Sequence, residues 1–493
     1  MSPTAPVTAR AVPAFGVGLG LLCLALLSFA ACRKAAPPRP NVLLITLDTT
    51  RPDRLGCYGH EPARTPAIDE LARGGARFER AISTAGLTPM SHASILTGLD
   101  NPRHGLRVFH SKDAGHRLRE SVHTLPELLG PRGWRTAAFT SAYPVSEAYN
   151  LQQGFQTFDS GVDTSALDLS GQQRHETVWA DVRGTSTQRR GDATTDAALA
   201  WLDQNLAGAP FCMWVHYFDA HDFSIVPPKE WSAARGIVYP EGAELDRRDQ
   251  LQWRERLYDP ELSFIDEQIA RILARLERAG ALKNTLVVIT ADHGQGLSDG
   301  LRNHRWMKHR LLFDWCVRVP LIVCGPGVDP RVVATQVRTT DIVPTLLELL
   351  DVPAKDELDG LSLLPLLRGE REAEPRLAYS DALNLYDTHS PRAAALPPGQ
   401  YDNLYALQDG RWKLVWHERE PERSELYDLA ADPQELDNLY SADHPEARRL
   451  ATVLVQREVT RVAPEGSSEG DPNAAALQSL GYGGDDFGPT RPR

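Results

Sequence analysis

The sequence predicts an α/β fold, a mostly parallel central sheet sandwiched by helices, with a smaller C-terminal α+β domain. Four short runs of apolar and β-branched residues predict buried strands at Asn41 to Thr46, Phe211 to Phe218, Thr285 to Thr290 and Pro320 to Cys324. Helical patterns separate them, and strands that alternate with helices pair in parallel through crossover connections. The polar residues supply the third observation. Asp48 follows the first run, His216, Asp219 and His221 end or follow the second, and Asp292-His293 follow the third. Reactive groups in such sheets gather beyond the carboxyl ends of the strands, so these runs deliver carboxylates and imidazoles to one edge.

In chain order, residues 1–32 read as an export signal. No charge lies between Arg10 and Arg33, and Ala14 to Ala31 is almost wholly apolar or Gly. Ser28-Phe29-Ala30-Ala31-Cys32 resembles a bacterial lipoprotein cleavage site with Cys32 as the lipidated residue; the same run is also long enough for an uncleaved membrane helix. Either way the protein is expected to be extracytoplasmic and membrane-anchored. Residues 33–40 form a Pro-rich linker. A catalytic domain is expected over 41–370, a small subdomain over 371–463 and a Gly-, Ser- and Asp-rich flexible tail over 464–493.

Within the catalytic region, Thr65-Pro66 opens a helix whose apolar face is Ile68, Leu71 and Ala72, and Gly74-Gly75 ends it. Leu262, Ile265, Ile269, Leu273 and Leu276 repeat at helical spacing. Gly161 to Gly208 and Lys229 to Arg256 read as insertions over the site. In the small subdomain, alternation from Arg411 to Trp416 predicts a half-buried strand, with Trp412 and Tyr427 in its core.

Composition excludes several functions. With 53 Lys+Arg against 65 Asp+Glu the formal net charge is −12, which argues against an electrostatic nucleic-acid binder. At 42% hydrophobic residues the chain is globular rather than disordered. Of six cysteines, Cys23 and Cys32 fall in the signal, and Cys57, Cys212, Cys316 and Cys324 form no CxxC pair. A zinc knuckle is thereby excluded, and buried free thiols are expected.

Thr88-Pro89 reads as the N-cap and first turn of a helix, which places free N–H groups and the positive end of a dipole beside a hydroxyl, a setting suited to sulfate or phosphate. From this segment the chain resembles the sulfatase family of the alkaline phosphatase superfamily. "LITLDTTRPDRLGCYG" (Leu44 to Gly59) is similar to the family's first metal-binding strand and loop, and "ASILTG" with "NPRHG" to its signature helix and exit. "HYFDAHDFSIVPP" resembles the central strand with its substrate-side histidine, and "VVITADHGQGLSD" the second metal-binding strand. "RVPLIVCGPG", "TTDIVPTLLELLDVP", "LDGLSLLPLL", "GRWKLV" and "ELYDLAADPQELDNL" continue the likeness in order, to about residue 440.

The resemblance implies a metal-dependent hydrolase of sulfate or phosphate esters, and the departures from it shape the chemistry. Thr88 stands where the family carries the Cys or Ser that becomes formylglycine, Met90 replaces the Pro or Ala two residues on, and His92 replaces the Arg. No formylglycine is expected, which leaves Thr88 as an unmodified nucleophile for in-line displacement. Asp48, Asp292 and His293 are the implied metal ligands, with Thr88 near or on the metal; Thr49 stands where a second Asp is usual, and His293 where Asn is usual. An all-oxygen set suits calcium, whereas Asp with His suits zinc or manganese. His221 is expected to contact substrate or protonate the leaving oxygen. His309 is expected to act in catalysis, with Lys308 and His304 as competing substrate-binding residues and His92 as either structural or substrate-binding. Whether two of these histidines hold a second metal stays open. The expected partners are a small-molecule, glycan or lipid ester and no nucleic acid. A phosphoethanolamine-type phosphoryl transferase and a catalytically silent binding protein of the same fold are the alternatives.

Overall fold

The computed structural model describes residues 1, 38–108, 117–162, 180–221, 225–239, 247–297, 311–372, 375–384 and 402–458. Pro40–Arg493 form one compact unit, distinct from Met1–Arg39. The expected signal with Cys32, and the expected tail at 464–493, lie outside the described residues. Among the described residues, no helix is long and apolar enough to cross a membrane.

Nine strands form the central sheet: β1 (Asn41–Leu47), β2 (Ala76–Ile82), β3 (Arg135–Phe139), β4 (Thr157–Asp159), β5 (Phe211–Tyr217), β6 (Thr285–Ala291), β7 (Arg318–Cys324), β8 (Arg331–Val333) and β9 (Val337–Arg338). Their order is β4-β3-β5-β1-β6-β7-β2-β8, with β9 beside β2. β1 lies between β5 and β6 and is parallel to both, in a register that sets Thr46 beside His216 and Thr290. All three predicted parallel strands thus end at one edge. The fourth run forms β7, which is antiparallel to both β6 and β2.

Alternation along the strands splits the core into two layers. Val42, Leu44, Trp214 and Val288 face one side with Met90, Ile95 and Leu96. Leu43, Ile45, Leu47, Met213, Val215 and Ile289 face the other, against Tyr258, Leu262, Ile265 and Ile269. Helix α1 (Pro66–Gly74) has the expected bounds, and Ile68 and Leu71 are buried. Its following glycine is demanded by packing, because a Cβ on Gly75 would lie 2.3 Å from the Val323 carbonyl oxygen. Helix α2 (Thr88–Thr97) is buried along its whole length.

Two expectations are corrected here. The stretch expected to be an insertion up to Gly208 contains α3 (Gly191–Asn205), whose Ala198 and Leu202 are buried in the second layer. Lys229 to Arg256 likewise runs into α4 (Arg247–Arg278), the long helix that carries the Leu262 to Leu276 pattern. Few apolar residues mark the first stretch, so the sequence hid a helix whose narrow buried face, with Ala198 and Leu202, belongs to the scaffold.

After α5 (Asp314–Val317) and β7, the C-terminal region forms a second, antiparallel sheet of β10 (Ala378–Leu383), β11 (Asn403–Gln408), β12 (Trp412–His417) and β13 (Glu425–Asp428), in that order. One face packs Ala378, Leu404, Ala406, Val415 and Tyr427 against Ile82, Leu312, Phe313 and Val317. The other packs Tyr405, Leu407, Leu414 and Leu426 beneath Ala447, Leu450 and Leu454 of α6 (Pro445–Glu458). Tyr427 is core, as expected, and Trp412 is partly buried against the second of these clusters.

Candidate active site

Asp48 lies one residue beyond β1, and Asp292 and His293 follow β6 directly. All three are completely buried, and one potential ligand atom from each lies within 4.8 Å of the others. Thr88 enters from the start of α2, its Oγ1 3.2 Å from His293 Nε2. It is the first helical residue rather than the N-cap: Leu87, in extended conformation, occupies the cap position and makes no side-chain cap bond. The hydroxyl nevertheless stays at the positive end of the helix.

Each of the three side chains is aimed by a hydrogen bond on its other side. The Thr49 N–H (3.0 Å) and the His293 N–H (2.7 Å) both donate to Asp292 Oδ1. His293 Nδ1 lies 2.9 Å from the Gly294 carbonyl oxygen; donation there fixes the tautomer and leaves the Nε2 lone pair facing Thr88 and the carboxylates. Gly294 is required, because a Cβ there would lie 2.1 Å from the Trp315 carbonyl oxygen. His216, on β5, reaches Asp48 Oδ2 with Nε2 at 3.2 Å while its Nδ1 accepts from the Ser141 N–H at 3.4 Å. Burial holds the His216 imidazole well below its ordinary pKa, with His92, His221 and Arg189 adding to the shift, so it is a neutral donor to the carboxylate.

The electrostatics favour a cation. Burial pushes the Asp48 carboxyl well above its usual range and the neighbouring Asp292 charge pushes the same way, while the Thr88 hydroxyl opposes them. Asp48 Oδ1 and Asp292 Oδ2 are buried without a hydrogen-bond partner among the described residues. Two close carboxylates with open oxygens and an imidazole nitrogen aimed at them fit a divalent cation, whose charge would offset their desolvation.

The other predicted residues are placed as follows. His92 is completely buried beneath Thr88, with Nδ1 2.8 Å from the Thr88 carbonyl oxygen and Nε2 3.0 Å from Thr46 Oγ1. Trp214 Nε1 donates to that same hydroxyl at 2.9 Å, which turns the Thr46 proton toward His92. Both ring nitrogens are taken up inside the protein, so the substrate-binding expectation for His92 is corrected to a structural one. His221 ends the turn after β5 and stacks on Phe218 at 4.3 Å between ring centroids. Asp219 accepts from the Gly191 N–H at the start of α3. His304, Lys308 and His309 lie outside the described residues. Sequence reasoning gave no role to His216 or to Tyr258, whose hydroxyl donates to the Thr49 carbonyl oxygen at 2.6 Å. His216 was marked by its place at a strand end, and Tyr258 by nothing beyond its helical pattern.

The model of the sulfatase family matches residues 40–352, well over half of the chain. The chain belongs to the sulfatase family. A second family model, for the C-terminal region of N-sulphoglucosamine sulphohydrolase, matches residues 302–461 of this sulfatase and takes in its antiparallel sheet. Among its relatives, the N-acetylglucosamine-6-O-sulfatase of Bacteroides thetaiotaomicron is 24% identical, over 85% of this chain and 86% of its own. The choline-sulfatase of Rhizobium meliloti is 25% identical, over 83% of each. A solved structure in complex with its substrate D-glucosamine-2-N,6-O-disulfate has a TM-score of 0.67 at 21% identity, covering 86% of this chain and 98% of that one. The phosphonate monoester hydrolase of Agrobacterium radiobacter has a TM-score of 0.65 at 22% identity, covering 88% and 100%. This sulfatase is therefore a hydrolase of the sulfuric ester class, with an Asp and His cluster suited to a metal at the expected strand ends.

Proposed function

We propose that the protein cleaves sulfate or phosphate esters with the unmodified Thr88 hydroxyl as in-line nucleophile, beside a divalent cation held by Asp48, Asp292 and His293. The observation that carries this is the 3.2 Å approach of Thr88 Oγ1 to His293 Nε2 at the start of a buried helix, within the carboxylate cluster. The cation would supply positive charge next to the hydroxyl oxygen and the reacting ester. The N–H groups and dipole of α2 favour an anionic sulfuryl or phosphoryl group at Thr88. The Thr88 hydroxyl, hydrogen-bonded to Asp48, passes its proton to that carboxylate as its oxygen bonds to sulfur or phosphorus and the bond to the leaving oxygen breaks, and His221 gives the leaving oxygen its proton. Water then attacks the same sulfur or phosphorus and gives its proton to the neutral His221, while the bond to the Thr88 oxygen breaks and that oxygen recovers its proton from Asp48. If an alcohol of a sugar or lipid replaces water in the second step, the same chemistry becomes transfer, a reading that an unmodified hydroxyl also supports.

Imidazole at position 293 favours zinc or manganese over calcium. The relatives named for glucosamine esters favour a glycan or other small-molecule ester as substrate. The apolar run ending in Cys32 supports an extracytoplasmic protein tethered by lipid or helix, and mass spectrometry of the N-terminal peptide distinguishes the two. Turnover of an aryl sulfate, an aryl phosphodiester and an aryl phosphonate by wild type, Thr88→Ser and Thr88→Ala tests the nucleophile. Thr88→Ser keeps activity and Thr88→Ala loses on the order of 10³-fold or more, while metal content persists in both and falls in Asp292→Ala. A trapped modified peptide spanning Leu87 to His92 supports the covalent route; full activity in Thr88→Ala removes it.

A further inference from the structure

We infer that Tyr258 is a positioning residue for Asp292, acting through the left-handed backbone of Thr49; the inference rests on the metal-site reading above. Thr49 has φ of +51°. A β-branched residue is disfavoured there by about 1–3 kcal/mol, so the surrounding structure must hold it. Its own side chain does not, since Thr49 Oγ1 is buried without a hydrogen-bond partner among the described residues. The Thr50 hydroxyl holds the near side of the turn, donating to the Asp48 carbonyl oxygen at 3.2 Å, and Tyr258, completely buried on α4 among the apolar residues of the second layer, holds the far side. Its hydroxyl donates to the Thr49 carbonyl oxygen at 2.6 Å and accepts from the Arg51 N–H at 3.0 Å, bracketing the turn after β1. Burial raises the phenol's pKa, so the donating proton stays in place.

The bracketed turn has one consequence at the site. With Thr49 left-handed, its N–H reaches Asp292 Oδ1 across 3.0 Å, and together with the His293 N–H it occupies that oxygen. Asp292 Oδ2 is left as the open atom, 3.4 Å from His293 Nε2. With the Thr49 carbonyl released, φ relaxes by rotation of the Asp48–Thr49 peptide, which turns the Thr49 N–H away from Asp292 and frees the carboxylate to rotate. The tyrosine hydroxyl thus decides which oxygen faces the cation without touching it.

Tyr258→Phe keeps the ring and removes both hydrogen bonds. Affinity of the metal-stripped protein for Mn²⁺ and Zn²⁺, measured by titration calorimetry and by competition with a chelating dye, should weaken by about 10–100-fold, the range for loss of a ligand-orienting partner. Thr49→Gly supplies the rescue, because glycine adopts positive φ without steric cost. In the Thr49→Gly background, Tyr258→Phe should change the affinity by no more than about threefold, a small residue of the loss expected in the native turn. A lower melting temperature with unchanged metal affinity in Tyr258→Phe overturns the inference, since it assigns the hydroxyl to packing alone. So does an equal loss of affinity in both backgrounds. If Tyr258→Phe fails to fold, folding of the double variant supports the turn-holding role and its failure to fold refutes it. A wild-type protein that binds neither metal refutes the metal-site reading itself, a result distinct from wild type and Tyr258→Phe binding alike.

Discussion

Asp219 shows how the site's edge is held in place. One carboxylate oxygen accepts from the Gly191 N–H at the start of α3, the other is buried without a hydrogen-bond partner among the described residues, and burial lifts the group from an ordinary 3.8 to about 6. Since the folded value lies above the unfolded one, the contribution to stability is fully present below about pH 4 and is lost as pH rises through 6. Asp219→Asn keeps an acceptor for Gly191 and removes the charge. It should therefore stabilise the protein at pH 7.5, by up to about 3 kcal/mol from a shift of this size, with the gain vanishing near pH 4; urea melts at the two pH values measure it. At this scale Asp48, Asp292 and His293 were legible because each directly follows an apolar run that only a buried strand explains. Thr49 was legible only as a departure from the family pattern, and its left-handed backbone was hidden because the residue type that usually marks such a conformation, glycine, is absent there.

Between elements, a buried ionic link joins the small sheet to the catalytic strands beside their apolar contact. Lys413 of β12, expected on a half-buried strand, is completely buried, with Nζ 2.6 Å from Glu435 Oε1 and 3.4 Å from Asp314 Oδ1. Glu435 in turn accepts from the Asp314 N–H that opens α5, and the Cys316 carbonyl of α5 accepts from the Gly294 N–H at 2.6 Å, next to His293. Breaking a buried ion pair by removing one partner costs about 3–5 kcal/mol. Lys413→Met should lose that much in chemical denaturation, and Glu435→Gln added to it should recover a large part, because the stranded carboxylate disappears. Equal losses in the single and double variants would mean that the pair is not coupled. No periodicity could announce this network, since it joins residues 314, 413 and 435 from a helix, a strand and a loop.

In the whole molecule, two apolar layers flank the central sheet, and among the described residues no disulfide assists them. Burial pushes the Cys57 and Cys212 thiols up to about 12. Melting temperature should be the same with and without a thiol reductant, and a marked fall under reductant would reveal a disulfide. The layered α/β architecture was legible because β1, β5 and β6 carry continuous apolar runs. β2 was not, because Arg77, Glu79 and Arg80 interrupt its sequence and only part of it is buried.

The placement of β1 between β5 and β6 also sets a timetable. Asp48 is made early, but the histidine that orients it is 168 residues away, and Asp292 and His293, which complete the cluster, come still later. Pairings this distant along the chain form late in folding. A growing chain therefore cannot bring the two carboxylates and the imidazole together until more than half of it has emerged. The cation proposed for this cluster would then be chosen in the compartment where folding finishes, by the ions available there as much as by the donor atoms.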